Sequence, residues 1–346
     1  MIHRETLCRK ARFPLEPVAL RSAHRPILAL NLYTAISGTT LWNVIRSRGA
    51  FGSARRGVFV PSVICSFALG ENFMRNVGRK LAFVLAASNH GTMIVNRFDY
   101  RMTGPDSGVG VGYQLLEAGA SDPVGVELSL HLIEARRRFH GDGVVTLDCG
   151  ANIGVHAVEW AIAMMGWGSV IAIEAQERIY YALAGNIAIN NAFNAIAMHA
   201  AVSSEPGIIQ IPTPDYLMPS SFGSLELKPR ASTEFIGQPI DYSADKTVAI
   251  QKISIDALSL ARVDLIKLDI GGMELEALEG AQQTIERSRP IFLVESVKGG
   301  AERLRAYLDE RDYKVVNAGI NILAIHKSDP VVNELQVPEL PAQSAA

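Results

Sequence analysis

The sequence has no G-x-G-x-x-G, the loop in which helix-terminal N–H groups hold a pyrophosphate, and this excludes the simplest dinucleotide reading of its β-α-β pattern. Cysteine is scarce as well. Cys8, Cys65 and Cys149 are widely spaced and odd in number, which argues against a disulfide framework and for a reducing, cytoplasmic compartment. No pair of histidines has H-x-x-x-H spacing and none sits in a Cys-His cluster, so no zinc site is expected. The formal net charge is only −2, without a basic patch in the part that reads as folded, so nucleic acid is not an expected partner. Long apolar runs are also missing. Pro26 to Ile45 is interrupted by Asn31, Thr34, Ser37, Thr39, Thr40 and Asn43, and Gly57 to Gly70 is short of the about twenty apolar residues a membrane-spanning helix wants. Neither a membrane span nor a signal-peptide layout is expected.

What is present is enough apolar chain for one large core or two modest ones, with 48% hydrophobic residues in 346. The charge is unevenly placed. Residues 1–65 hold ten Lys or Arg against two Glu, a surplus of eight positive charges, which leaves about ten net negative charges on the remainder. This break predicts a basic, poorly ordered extension over 1–73, a folded domain over 74–328, and a disordered Pro- and Ala-rich tail over 329–346. A chain beginning near Met74 is accordingly expected to fold alone.

The richest stretch runs from Val144 to Glu174, VVTLDCGANIGVHAVEWAIAMMGWGSVIAIE. Val144 to Leu147 reads as a buried parallel strand, Asp148 to Gly154 as the turn after it, Val155 to Met165 as a helix, and Val170 to Ile173 as the next strand. Gly150 and Gly154 let the backbone pass close to a ligand. Glu174 then falls at a strand's carboxyl end, where a carboxylate can accept hydrogen bonds from both hydroxyls of a ribose. A carboxylate opening the loop, Asp148, would repel a pyrophosphate but suits a ligand with an ammonium and a sulfonium. The pattern D-x-G-x-N-x-G therefore points to S-adenosylmethionine, with Asp148, Gly150, Asn152 and Gly154 at its methionine end and Glu174 at its ribose. His156 reads as a helix-start or packing histidine rather than a base.

The alternation of strands and helices continues on both sides. Thr92 to Val95 reads as a strand, and Pro123 to Phe139 as an amphipathic helix with Val126, Leu130 and Ile133 inward and Arg136, Arg137 and Arg138 at a solvated end. After Glu174 come a helix over Arg178 to Asn190, a strand over Ala195 to Val202, and Ile208 to Ile211 as an extension of the sheet edge. Strands over Thr247 to Ile255 and Val263 to Asp269, a helix over Glu274 to Arg287, and a strand over Pro290 to Val294 follow. A helix over Glu302 to Arg311 leads into a closing antiparallel pair, Tyr313 to Val316 and Ile320 to Ala324. This order predicts a doubly wound, mostly parallel α/β sheet, with Asp148, Glu174, Asp269 and Glu295 at the carboxyl ends that form its crevice. Residues 212–247 are rich in Pro, Ser and Gly and too long for a plain connection, so they are expected to be a substrate-facing insertion, with Tyr216, Ser221 and Phe222 against the acceptor.

Lys267 sits in a strand expected to be covered on both faces, where an unpaired ammonium costs several kcal/mol. Asp269 projects to the same face, and Glu274 or Glu295 could complete a charged network.

These motifs together resemble those of the FkbM-like S-adenosylmethionine-dependent methyltransferases. The resemblance covers about residues 90–326 and is carried by Asp148-Cys149-Gly150-Ala151-Asn152-Ile153-Gly154, Ile173-Glu174-Ala175 with Asn186 and Asn190, Ala201-Val202-Ser203, and Phe222-Gly223-Ser224-Leu225. It continues through Ile266-Lys267-Leu268-Asp269 with Gly272 and Glu274, Gly280-Ala281, and Arg289-Pro290 to Glu295. It implies a class I, Rossmann-like methyltransferase fold, Ala175 and Ser203 among the cofactor-binding residues, Asp269, Lys267 and Glu274 as the catalytic group, and methyl transfer to a hydroxyl of a sugar or natural-product small molecule. The sequence leaves a homo-oligomer and a divalent metal such as Mg²⁺ beside Asp269 open, and assigns no metal ligand. One departure stands out. The family's motif resembles K-x-D-x-E-G-x-E, and this chain has Gly271 in place of the first Glu. Restoring that acid, Gly271→Glu, is therefore expected to raise transfer, and the alternative reading is a cofactor-binding scaffold without chemistry.

Overall fold

The computed structural model describes residues 80–230, 233–298 and 300–334, so the extension expected over 1–73 lies outside the described residues. The described chain opens with an antiparallel pair, β1 (Phe83–Ser88) and β2 (Gly91–Asn96), and a short hairpin of β3 (Arg101–Gly104) and β4 (Ser107–Val109). Helices α1 (Val111–Ala118) and α2 (Pro123–His140) lead into β5 (Val144–Cys149), α3 (Val155–Ala163), β6 (Gly168–Glu174), α4 (Glu177–Ile189) and β7 (Ala195–His199). Next come β8 (Ala201–Val202), β9 (Gly207–Pro212), β10 (Thr247–Ile253), β11 (Leu265–Leu268), α5 (Glu274–Glu279) and α6 (Gln282–Ser288). The chain closes with β12 (Ile291–Glu295), α7 (Ala301–Asp309), β13 (Tyr313–Ala318) and β14 (Asn321–His326).

Seven strands form the main sheet in the order β13-β14-β12-β11-β5-β6-β7, parallel from β12 to β7 and closed by the antiparallel β14 and β13. This is the doubly wound sheet expected from the alternation. The parallel strands are apolar on both faces because helices cover both. Ile133, Trp160 and Met164 pack one side with Val170 and Leu265, while Leu278, Ile285, Leu304 and Leu308 pack the other with Ile266 and Phe292. The chain winds outward from β5 in one direction and resumes at β11 in the other, so the adjacent carboxyl ends of β5 and β11 are the switch point where such sheets bind ligands.

Several expectations are corrected. Ala195 to Val202 is not one strand, since β8 leaves the main sheet, and β9 does not extend its edge; β8, β10 and β9 make a separate three-stranded sheet. The helix expected over Glu274 to Arg287 is two helices. At the break the Gly280 carbonyl accepts from Asp256 N (2.9 Å), and the Asp256 carboxylate caps α6 by accepting from Gln283 N (3.0 Å) and Thr284 N (2.8 Å). Arg136 is not solvated but buried, donating to Asp264 and Asp329. The tail is ordered over 329–334, with Asp329 in that ion pair and Val331 in the core; residues 335–346 lie outside the described ones.

Candidate active site

A cavity of about 560 Å³ opens at the switch point. Its floor is the loop after β5. Gly150 and Gly154 have φ of 79° and 91°, and a Cβ on Gly150 would collide with the Asp269 carbonyl oxygen, which explains the glycine where the two loops cross. Glu174, at the end of β6, accepts from Asn152 N through Oε2 (2.9 Å) and from Gln176 N through Oε1 (2.8 Å). Each oxygen keeps a lone pair for a further donor. Burial pushes the Glu174 carboxyl up to about 7 against these bonds, so a ligand donating to it favours the ionised form.

Across the switch point Lys267 lies in register with Asp148, and its Nζ stands 3.7 Å from Asp148 and 3.4 Å from Asp269. Burial alone would lower the ammonium's pKa, but Asp269 and Asp148 outweigh it and hold Lys267 above its ordinary value, so it is a fixed cation and no base. Asp269 faces the cavity with its side chain 45% exposed, whereas Asp148 lies behind Lys267, buried, with neither oxygen hydrogen-bonded.

The structure divides the residues singled out in the sequence. On the cavity wall are Lys267, Asp269, Gly150, Asn152, Glu174, Ala175 and Ser221. Off it are Asp148, Gly154, Ser203, Tyr216, Phe222 and Glu274. Gly154 starts α3 against Leu183. Ser203 is buried and donates to Glu276 (3.0 Å). Glu274 is buried and accepts from Ile270 N (3.1 Å) and Gly272 N (3.0 Å), so it shapes the loop after β11 rather than meeting substrate; burial pushes its carboxyl up to about 7. Tyr216 and Phe222 are fasteners: their rings pack at 4.9 Å, the Tyr216 hydroxyl donates to Gln176 (3.2 Å), and Phe222 N donates to the buried Asp99 carboxylate (3.0 Å), which also accepts from Gly112 N (2.9 Å). Burial pushes Asp99 up to about 6 in spite of these bonds. The insertion is thereby seated on the N-terminal segment through described residues that form hydrogen bonds, not as a free flap.

Sequence reasoning missed Gln114, Ser121 and Asp122 on one wall and Glu234, Lys298 and Asn321 on another. Asp122 is the N-cap of α2, just before Pro123, and accepts from Gly125 N (3.1 Å). A cap residue of this kind is not by itself a sign of a cavity wall. His156, the second residue of α3, does start a helix as expected, packing edge-on to Trp160, but it also lines the cavity and pairs with Asp122 at 3.4 Å. Among the described residues no group of three or more His, Cys, Asp and Glu could hold a metal ion, and no helix is long and apolar enough to cross a membrane.

Gly271 overturns the expectation for the missing acid. Its φ is 62°, Gly272 beside it is also left-handed at 94°, and a Cβ on Gly271 would stand 2.6 Å from the Leu225 carbonyl oxygen. Gly271→Glu is therefore expected to cost about 1–2 kcal/mol from the left-handed backbone, with the clash added to it. The check is thermal melting of both forms; an unchanged or higher melting temperature would refute the strain argument.

Residues 148–315 match the family model of the methyltransferase FkbM domain. No curated protein matches the chain. Among solved structures it is similar to methyltransferase FkbM from Methylobacillus flagellatus KT, at 19% identity and a TM-score of 0.38, over 54% of this chain and 44% of that one. Precorrin-6y C5,15-methyltransferase from Geobacter metallireducens GS-15 shares 14% identity at a TM-score of 0.35, over 60% of this chain and 89% of that one. TYW2 from M. jannaschii in complex with AdoMet shares 13% at 0.31, over 71% and 85%. The chain thus spans less than half the length of the Methylobacillus protein. The family match runs over the loop after β5, the ends of β6 and β11 and most of the cavity's lining, and over those residues the chain resembles the methyltransferase FkbM domain.

Proposed function

We propose that the chain transfers a methyl group from S-adenosylmethionine to a hydroxyl oxygen of a sugar or natural-product small molecule. The observation that carries this reading is the pairing of Glu174 and Asp269 on one cavity wall system, a ribose acceptor at the end of β6 and an open carboxylate beside a fixed ammonium at the end of β11. The residues suit the cofactor: a cavity of about 560 Å³ with several carboxylates on or just behind its wall favours a ligand carrying positive charge. When bound, S-adenosylmethionine supplies an electrophilic methyl group on a positively charged sulfur.

The chain's own part is positioning and proton removal. Gly150 and Asn152 form the floor beneath the ligand, and Glu174 accepts from the ribose hydroxyls. Asp269 takes the acceptor's hydroxyl proton at its carboxylate oxygen as the oxygen becomes methylated. Lys267 orients Asp269 at 3.4 Å, and Asp148 behind it gives the ammonium a second carboxylate partner at 3.7 Å. The insertion, seated on Asp99, narrows access for water on the acceptor's side.

Glu174→Ala is expected to weaken cofactor binding by about 1.5–3 kcal/mol, the range for a hydrogen bond to a charged group. Titration calorimetry with S-adenosylhomocysteine measures it, and unchanged affinity would remove Glu174 from the site. A pH dependence accompanies this. The free carboxyl holds its proton up to about pH 7, and only the ionised form accepts from both hydroxyls, so affinity should rise between pH 6 and 8 and then level. 5′-Methylthioadenosine, which has the ribose but no group titrating in that range, isolates the effect; Glu174→Gln should flatten it. A screen of acceptors with a methyl-labelled donor decides the finer claim. Label recovered as a methyl ether supports it, and label recovered only on nitrogen or carbon refutes it.

A further inference from the structure

Away from the cavity, the main sheet ends in a strand whose outer edge is free. β7 is the last of the seven strands, and no strand among the described residues pairs beyond it. Asn194 O accepts from Val170 N (2.9 Å) and Ala200 N donates to Glu174 O (3.1 Å), so in this parallel ladder the even-numbered residues of β7 bond to β6. Ala195, Ala197 and His199 therefore turn their backbone groups outward. The Ala195 N–H is taken by the Ala192 carbonyl (3.0 Å), which leaves the Ala195 carbonyl, both groups of Ala197 and the His199 N–H at the edge. Edge strands are commonly guarded by charge. The opposite edge, β13, is guarded in this way by the exposed Lys314 and by Arg305 donating to Asn317. β7 has no such guard, because the chain from Ile179 to Ser204, which holds most of α4 and all of β7, contains no Asp, Glu, Lys or Arg. Apolar side chains stand there instead: Ile196 on the strand is 62% exposed and Phe193 just before it 86%.

We propose that β7 is the docking edge for a second copy of this chain, paired antiparallel about a two-fold axis at Ala197. Such an axis sets Ala197 against Ala197 and His199 against Ala195 of the second copy. Ala197 N then donates to Ala197 O in both directions and His199 N to Ala195 O in both directions, so the groups left over on one edge are those the other edge needs. The side chains agree with this register. It places Ile196 beside Met198 of the second copy on one face, while the small Ala197 at the axis lets the two backbones approach. Charge selects the same surface, since the chain beyond residue 65 carries about ten net negative charges that repel a second copy, and the uncharged stretch over α4 and β7 is where that repulsion is weakest. A strand pair alone falls short of the roughly 800 Å² per partner of a standard interface. Tyr181 and Ile189 on α4, 50% and 42% exposed, and Phe193 supply further apolar surface beside it.

Sedimentation velocity of the full chain tests this, with Ile196→Lys as the variant and Leu85→Lys, at a 69% exposed site on β1, as its control. Wild type should be dimeric at about 10 μM, where an interface of standard size is occupied. Ile196→Lys should raise the dissociation constant at least tenfold, because two lysines then lie diagonally across the axis, and Leu85→Lys should change it less than twofold. Hydrogen exchange resolved to single amides reads the register. The Ala197 and His199 amides should exchange slowly in the wild-type dimer and at least tenfold faster in Ile196→Lys, while the Met198 amide, bonded to β6, stays protected in both and reports an intact sheet. Wild type that is monomeric at about 100 μM, or a dimer that Ile196→Lys leaves unchanged, would overturn the proposal. So would a monomer whose Ala197 and His199 amides are protected, since another segment of the same chain would then hold the edge.

Discussion

Asp264→Ala is expected to remove about 3–5 kcal/mol of folding stability, the cost of breaking a buried ion pair from one side. Asp264 lies just before β11 with its side chain fully buried. Its carboxylate accepts from Arg136 Nε (3.1 Å), from Arg262 Nε (2.8 Å) and Nη2 (3.0 Å), and from the backbone N of Val145 (2.9 Å). Alanine would leave Arg136 buried with Asp329 as its remaining carboxylate partner, and would strand the Val145 N–H at the start of β5. Urea unfolding gives the measurement: the midpoint should fall with the slope unchanged. Because Asp264 lies at the opposite end of β11 from Lys267 and Asp269, the fraction that remains folded should bind S-adenosylhomocysteine as wild type does. A loss under about 1 kcal/mol would mean that the cluster is solvated enough for water to replace Asp264.

That cluster also shows where the sequence stops being legible. Arg136 occupies the polar side of an amphipathic helix, and helical periodicity assigns such residues to solvent; its partners stand 128 and 193 residues away. The loop from Asp148 to Gly154 and the placement of Glu174 were readable because strand, turn and helix are contiguous there and each residue's role is set by neighbours in sequence. Periodicity recovers strands without saying which sheet they join, so β8, β9 and β10 are legible as extended chain while their separate three-stranded sheet is not. The split between α5 and α6 depends on Asp256 capping from another segment. In the sequence Gly271 looks like a lost acid, because its left-handed backbone and the approach of Leu225 are properties of the folded loop. Gln114, Ser121 and Asp122 belong to a stretch whose local pattern announces only a helix cap, and their place on the cavity comes from the packing of α1 and α2 against the loop after β5.

Asp269→Asn is expected to lower the turnover of the methyl transfer by about 10²–10⁴-fold, the range for removing a positioned general base. The substitution keeps the side chain's size and leaves an amide oxygen that can still accept from Lys267 Nζ, now at 3.4 Å from the carboxylate, so the loop after β11 should hold its shape. What it removes is the acceptor for the substrate's proton and one of the two negative charges facing the buried ammonium. Affinity for S-adenosylhomocysteine should therefore change by less than about threefold, since the ribose contact at Glu174 and the loop at Gly150 and Asn152 are untouched. Asp269→Glu separates basicity from placement: it restores the carboxylate but moves it by one methylene, and should recover part of the lost rate if proton removal is the role and none if the exact reach toward Lys267 is. Stability supplies the remaining control, because Asp148 stays beside Lys267 at 3.7 Å and keeps the ammonium from being wholly uncompensated. Turnover of Asp269→Asn within tenfold of wild type, on an acceptor that wild type methylates, would move the proton-accepting role elsewhere on the wall, with His156 and Glu295 the next carriers to test by the same pair of measurements.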